Sequence, residues 1–279
     1  MPSVTATLNY LAPQDAPLHT YAFDPPGGAP RFNGRLVGHA MPIRDAREFG
    51  ADCSLAGTGF VLCDGPSEVR NFWDEAQLRR TAYPEAEALV RRLTGAPLAR
   101  VFDHTLRRRA PGKPPLDGVG GSFASVRTPV GRVHADYTPR SAPQRVHQVL
   151  GDAAAAAALR GRFWIIGLWR PLLEQPLEDA PLALADARSV RRDHLVPNDL
   201  IYPDRRGQTY AVLHDAQHRW CWFQRQRRDE VTAFVHYDSA HAETACTGAT
   251  PHTAFENPAA SARAAPRESL ELRALAWFD

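Results

Sequence analysis

The sequence predicts a mainly β protein, a double-sheet barrel or jelly roll with helices flanking it near the N-terminus. Three observations predict it. Short aromatic and β-branched runs separated by turn residues fill the C-terminal half. Helical periodicity is confined to a few segments. Strand–helix–strand alternation does not recur, which argues against a doubly wound sheet.

The elements follow in order. Residues 1 to about 65 are rich in Pro and Gly, with strand-like pieces at Arg35 to His39 and Gly59 to Cys63. They read as an extended arm or edge strands joined by turns. Ser67 can cap a helix running to Arg80, with Glu68 in its first turn. Pro84 suits the first position of a second helix, Glu85 to Leu93, whose Ala86, Leu89, Val90 and Leu93 form one apolar stripe and which Gly95 stops. Asp152 can cap the alanine run 153–158. Strands are then expected at Phe163 to Trp169, Pro181 to Ala187, Val231 to Tyr237 and Ser269 to Phe278, with a hairpin of Gln208 to Leu213 and Arg219 to Phe223 around Asp215. At 279 residues the chain suits one domain, with 1–100 as arm and helices packed on a barrel core of 101–279.

Composition excludes several classes. The hydrophobic fraction of 44% is ample for a core, so disorder is not expected. Lys and Arg number 33 against 31 acidic residues, a net charge of +2 that offers no electrostatic footprint for nucleic acid. The run Arg107-Arg108-Arg109 reads as a solvated loop, and Gly118-Val119-Gly120-Gly121 as a turn lacking the lysine and spacing of a phosphate loop. No apolar run reaches about 18 residues, so no membrane span is expected. The start lacks the pattern of a signal peptide. Cys53, Cys63, Cys221 and Cys246 form no CxxC pair and read as reduced thiols, so the expected location is cytoplasmic.

Chemistry concentrates in Arg132-Val133-His134-Ala135-Asp136-Tyr137-Thr138. Residues two apart on a strand share a face, so His134 and Asp136 can hold one metal ion. Two histidines and a carboxylate form the facial triad of non-haem Fe(II) sites. His252 is a candidate third ligand. His218 is its chief rival, and His214, His236 and His241 are weaker ones. Downstream, Arg267 and Ser269 share strand parity and could hold a carboxylate through a guanidinium fork and a hydroxyl; Arg273 has the same parity. His104, Tyr137, Trp169 and Arg170 are candidates to line a substrate cavity, with packing as their alternative role.

The chain resembles the AsaB-like hydroxylase/desaturase family, also described as the CmcJ/NvfI family, over almost its full length. The resemblance rests on ordered stretches: Phe102 to Arg108, Val133 to Thr138, Trp169 to Leu172, Ala180 to Leu184, Tyr237 to Ser239, Pro251 to Phe255 and Arg267 to Arg273. It implies a double-stranded β-helix, or cupin-like jelly roll, and an Fe(II)/2-oxoglutarate-dependent oxygenase. His134, Asp136 and His252 would be its metal ligands, Arg267 with Ser269 its 2-oxoglutarate anchor, and O2 the oxidant. Glu256-Asn257-Pro258 departs from the more acidic stretch expected after His252. Family members act on dissimilar small molecules, so the resemblance implies a small-molecule substrate of secondary metabolism and chooses neither hydroxylation nor desaturation. A homodimer or a partner enzyme of the same pathway remains open. Two other classes compete: a Zn(II)-dependent hydrolase on the same barrel, separable by metal identity and oxygen dependence, and a non-catalytic accessory or binding protein, separable by the absence of metal at the triad.

Overall fold

The computed structural model describes residues 3–110, 112, 114, 116, 126–241 and 248–278. The expected turn at Gly118 to Gly121 and Cys246 lie outside the described residues. Two sheets face each other. The larger has nine strands, in spatial order β1 (Ser3–Leu11), β3 (Leu36–Asp45), β12 (Trp220–Trp222), β9 (Leu182–Ala185), β14 (His252–Ala254), β7 (His134–Ala135), β11 (Arg206–Val212), β10 (Leu195–Ile201) and β2 (Leu18–Tyr21). The smaller has six: β4 (Phe60–Asp64), β13 (Glu230–Asp238), β8 (Phe163–Pro171), β15 (Glu268–Trp277), β5 (Leu98–Arg108) and β6 (Val126–Arg127). This is the expected jelly roll.

The helices sit on the outside of the smaller sheet. Ile166, Leu168, Leu270, Leu272 and Ala274 pack there against Leu78, Ala82, Ala86, Leu89 and Val90 in one apolar cluster. The first helix starts later than Ser67. Side chains take up the backbone donors that a longer helix would need: Glu85 accepts from Glu68 N, and Gln77 accepts from Arg70 N and Asn71 N. Asp74 is the actual cap, accepting from Ala76 N and Gln77 N, and opens α1 (Glu75–Gln77). A π turn, Leu78–Ala82, joins it to α2 (Tyr83–Thr94), where Pro84 lacks the amide that a regular turn would use. Gly95, at φ 71°, ends α2 in the left-handed region. Two further helices, α3 (Ser141–Leu150) and α4 (Asp152–Ala158), cover Tyr137, Phe163, Ile165 and Leu275.

Three further expectations fail. Asp152 does not cap the alanine run: Gly151 holds the N-cap position without a side-chain bond, and the Asp152 carboxylate accepts from His147 Nδ1 instead. The hairpin around Asp215 does not form: β11 pairs with β10 and β7, while β12 pairs with β3 and β9. Trp220, Cys221 and Trp222 are all buried, so this strand needs partners inside the sheet rather than a hairpin neighbour at its rim. Nor is Arg107-Arg108-Arg109 a solvated loop. It ends β5 and follows the pleat: Arg107 turns inward, Arg108 pairs outside with Glu268, and Arg109 is buried on Asp179.

Inside the smaller sheet, Gly167 lies under the rings of Phe234 and His236. A β-carbon there would stand 2.6 Å from His236 Nε2 and 2.7 Å from Phe234. His236 is the extra residue of a bulge in β13, where the register with β8 shifts between Val235 and Tyr237. Gly167→Ala should therefore cost about 1–3 kcal/mol by overpacking. The urea midpoint should fall at unchanged slope; an unchanged midpoint would mean that His236 has room to move.

Candidate active site

The pleat of β15 is inverted relative to an ordinary surface strand. Its apolar residues Leu270, Leu272 and Ala274 face the helices, while Ser269, Glu271 and Arg273 turn toward the opposite sheet. Their partners across the ladder on β5 are Arg107, Thr105 and Asp103. A polar floor results, buried between two sheets.

Opposite this floor, His134 on β7 and His252 on β14 are direct cross-strand partners near the centre of the larger sheet. Their ring centroids are 4.4 Å apart. Asp136, two residues on, places Oδ1 3.5 Å from His134 Nε2. One ligand atom from each of His134, Asp136 and His252 falls within 4.8 Å of the others. Both imidazoles are oriented by the backbone. His134 Nδ1 lies 2.9 Å from Arg132 O, and His252 Nδ1 lies 3.0 Å from Thr250 O. A carbonyl only accepts, so each Nδ1 carries the proton and each Nε2 keeps its lone pair. Burial, with His252 beside it, pushes the pKa of His134 down to about 3; burial also lowers that of His252. Both rings are held neutral, the state that metal binding requires.

A second layer holds Asp136. Its Oδ2 accepts from Arg273 Nε at 3.1 Å and lies 3.7 Å from His236 Nδ1. His236 Nε2 in turn is 3.0 Å from Glu271 Oε1, and Arg273 also meets Glu271 and Asp103. Burial pushes the Asp136 carboxyl up, but His236 and the Arg273 guanidinium outweigh it and hold the group ionised, well below the usual range. Asp136, His236 and Glu271 also come within metal-binding distance of one another. Asp136 Oδ2, His236 Nε2 and the Glu271 carboxylate are already engaged in this network, and only His236 Nδ1 lacks a hydrogen bond, whereas Asp136 Oδ1 and the two Nε2 atoms point at one another.

The remaining expected residues fall in three places. Arg267 is buried over the ring of Trp169, 5.0 Å from its centroid. Arg267 Nε donates to Ser269 Oγ at 3.0 Å and Nη1 to Ala180 O at 2.8 Å, while Nη2 makes no hydrogen bond among the described residues. Ala180 adopts φ 46°, a strained conformation that presents this carbonyl. Burial first, then Arg107, lowers the Arg267 pKa to about 9. Arg267, Trp169, His134 and His252 line one narrow recess, together with Glu271 and Arg273. Tyr137 and Asp136 line a larger cavity of about 410 Å3, which shares His134, Arg107 and Arg273 with this recess.

His104 borders the larger cavity from its place on β5, although its ring is tied toward the helices, and Arg170 points elsewhere. The His104 ring is bonded to the Tyr83 hydroxyl at 2.9 Å and to Glu75 at 3.0 Å, on the helical side of β5. Arg170 donates to Gly65 O and lines a separate cavity of about 270 Å3 between the smaller sheet and the helices. His218 belongs to another network. His194 Nε2 lies 3.2 Å from Asp215, so it must donate; His194 Nδ1 then accepts from His218 Nε2 at 2.9 Å. His218 Nδ1 accepts in turn from the Tyr10 hydroxyl, which receives Trp220 Nε1 at 2.6 Å. Every polar atom of His218 is used there. The stretch after His252 is tied down by Glu256 on Arg109 and by Asn257 Nδ2 on Glu178 O. Sequence reasoning did not assign Glu271, Asp103 or Arg107 to the site, and it gave His236 only as a weaker rival ligand. The alternation Ser-Leu-Glu-Leu-Arg of 269–273 was the available signal, but it does not say which face is inward.

A family model described as an oxidoreductase/YMDC permease-like domain matches residues 8–277. No helix among the described residues is long and apolar enough to cross a membrane. The chain is similar to the Fe(II)/2-oxoglutarate-dependent dioxygenase nvfI of Aspergillus novofumigatus, with 29% identity over 264 residues, 92% of this chain and 90% of the relative. It is similar also to the hydroxylase/desaturase efuI of Hormonema carpetanum, with 28% identity over 298 residues, 100% of this chain and 96% of the relative. Among solved structures, an iron and alpha-ketoglutarate-dependent endoperoxidase, NvfI, superposes with a TM-score of 0.84 at 26% identity, covering 99% of this chain and 98% of that one.

Proposed function

Because the chain belongs to the oxidoreductase family whose model spans residues 8–277, and is an Fe(II)/2-oxoglutarate-dependent oxygenase like its named relatives, we propose that His134, Asp136 and His252 hold the iron and Arg267 with Ser269 the co-substrate. The observation that carries the assignment is the pair of cross-strand histidines whose Nδ1 atoms are committed to carbonyls, leaving two imidazole Nε2 atoms and one carboxylate oxygen turned together. That donor set suits Fe(II) and leaves positions for other ligands. The bound iron, with 2-oxoglutarate and O2, supplies the oxidising chemistry.

The chain's own residues do the positioning. Arg132 O and Thr250 O fix the two rings, and Arg273 with His236 fixes the Asp136 carboxylate through its outer oxygen. Arg267 offers its open Nη2 to the distal carboxylate of 2-oxoglutarate. Ser269 Oγ accepts from Arg267 Nε, which frees its own O–H to donate to the same carboxylate. Arg273 is the weaker anchor because Asp136, Asp103 and Glu271 already surround it. Tyr137 borders the substrate cavity. Trp169 supports Arg267, and His104 and Arg170 serve the helical layer.

The substrate is a small molecule, and the type of oxidation within the hydroxylase and desaturase range is set by how the cavity presents it. A cytoplasmic location fits the free thiols of Cys53, Cys63 and Cys221, two of them buried. A homodimer or pathway partner enzyme is retained as a reading for sedimentation to test. The test of the anchor is 2-oxoglutarate affinity without oxygen. A hydrogen bond to a charged group contributes about 1.5–3 kcal/mol, so Arg267→Ala should weaken binding at least about tenfold with iron content unchanged. Arg267→Lys should rescue only partly. Loss in Arg273→Ala alone would transfer the role to Arg273.

A further inference from the structure

The larger cavity beside His134 and Asp136 carries an imbalance of charge that iron and 2-oxoglutarate do not explain. Its two carboxylates, Asp103 and Asp136, are both taken by Arg273, at 3.2 and 3.1 Å. Five other arginines line it without any ion pair among the described residues: Arg107, Arg127, Arg145, Arg205 and Arg206. Arg107 and Arg127 are direct register partners on β5 and β6. Like charges directly opposite on adjacent strands repel, and a sheet keeps such a pair at a cost. Arg107 has one hydrogen bond, from Nη1 to Thr128 O at 2.8 Å, and its remaining donors make none among the described residues. Burial disfavours its charge, and the Arg273 and Arg127 guanidinium groups add to this, against a pull from Glu271. Across the cavity, on α3, the Arg145 guanidinium stands 5.2 Å from the Phe102 ring centroid with its Nε buried and unbonded.

We infer that the substrate of this site is an organic oxyanion, a carboxylate or phosphate ester, seated by the adjacent guanidinium groups of Arg107 and Arg127 with its oxidisable carbon turned toward His134 and Asp136. The inference rests on the oxygenase reading of the same site. Two forks on neighbouring strands can each donate a pair of N–H groups to one oxyanion, and the anion relieves their mutual repulsion. Arg205, in the turn before β11, and Arg206, which opens it, are exposed, extend the positive field to the mouth and draw an anion in. The aromatic wall of Tyr137 supplies apolar contact for the rest of the molecule.

The test uses three matched probes: 2-naphthoate, its methyl ester and 2-naphthyl phosphate. Each is titrated calorimetrically, without oxygen, into protein loaded with Mn(II) and saturating 2-oxoglutarate. The expected result is that at least one anion binds at least about tenfold more tightly than the ester, with the gap narrowing as salt is raised. A preference for naphthoate or for naphthyl phosphate separates the two sources of the oxyanion. Arg107→Gln combined with Arg127→Gln should abolish the gap while the ester binds as before. Arg127→Gln alone, on an exposed side chain, should halve it or more and covers the case in which the double variant fails to fold. Equal binding of acid and ester, or a gap that persists in both variants, overturns the inference. So does a loss of 2-oxoglutarate affinity in Arg107→Gln with the gap intact, which would make Arg107 a co-substrate residue. If Mn(II) and 2-oxoglutarate fail to bind at all, the oxygenase reading of the site falls separately, and the charge preference is still read in the unloaded protein.

Discussion

His134→Ala, Asp136→Ala and His252→Ala should each reduce iron binding by more than about 100-fold, because removing a ligand should exceed the 10–100-fold that loss of a supporting partner typically costs. The wild type, prepared anaerobically, should take up about one Fe(II) per chain. The three changes differ in what they leave behind. Losing His134 or His252 leaves a neutral gap, since each ring is held unprotonated with Nδ1 on a carbonyl. Losing Asp136 leaves Arg273 with Asp103 and Glu271 as its carboxylates, and removes the anion that offsets the metal's charge. Asp136→Ala should therefore also lower stability, which the histidine variants should do less. His218→Ala is the control. It breaks the chain from Asp215 through His194 to Tyr10 and Trp220, but should leave iron stoichiometry intact. Iron content and circular dichroism together separate the outcomes. Full occupancy in a His134/Asp136 double variant, or loss confined to His218→Ala, would refute the ligand assignment.

Glu271→Ala should destabilise the protein by about 3 kcal/mol, the low end for removing one member of a buried charge pair, because Arg273 keeps two other carboxylates. Glu271 accepts from His236 Nε2 and pairs with Arg273, at 3.0 and 3.1 Å, in a site with little exposure. Without it, His236 Nε2 loses its partner next to a ring whose Nδ1 already lacks a hydrogen bond. Glu271→Gln keeps an acceptor for His236 and should cost less, about half as much. Urea unfolding measures both; the midpoint should move while the slope stays fixed. A loss under about 1 kcal/mol in Glu271→Ala would mean that Asp103 and Asp136 satisfy Arg273 unaided.

Much of this site could be read from the sequence, for physical reasons that stop at definite residues. His134 and Asp136 are near neighbours in the chain, so strand parity alone places them together. Pro84 and Gly95 mark the two ends of α2 through their own backbone restrictions, and both ends appear where expected. Parity fails where both faces of a strand are buried. On β13 every residue is buried, and a bulge at His236 resets the phase. The Arg107 to Arg109 run misled because three consecutive charges look solvated, although the pleat sends them to three different environments. The β12 pairing depends on β3, which lies far away in the chain, and no local pattern announces it.

The inverted pleat of β15 bears on how the chain finds its fold. Sliding that strand by one residue along β5 and β8 would exchange its faces, putting Glu271 and Arg273 beneath Leu89 and Val90 and sending Leu270 and Leu272 into the cavity. A slipped strand would bury two charges in hydrocarbon with no partners, a far worse state than the usual error of exposing an apolar side chain. The residues that give the site its polarity thus also guard against mispairing. A lineage that replaced them with apolar residues to admit a greasier substrate would weaken its protection against a misaligned barrel.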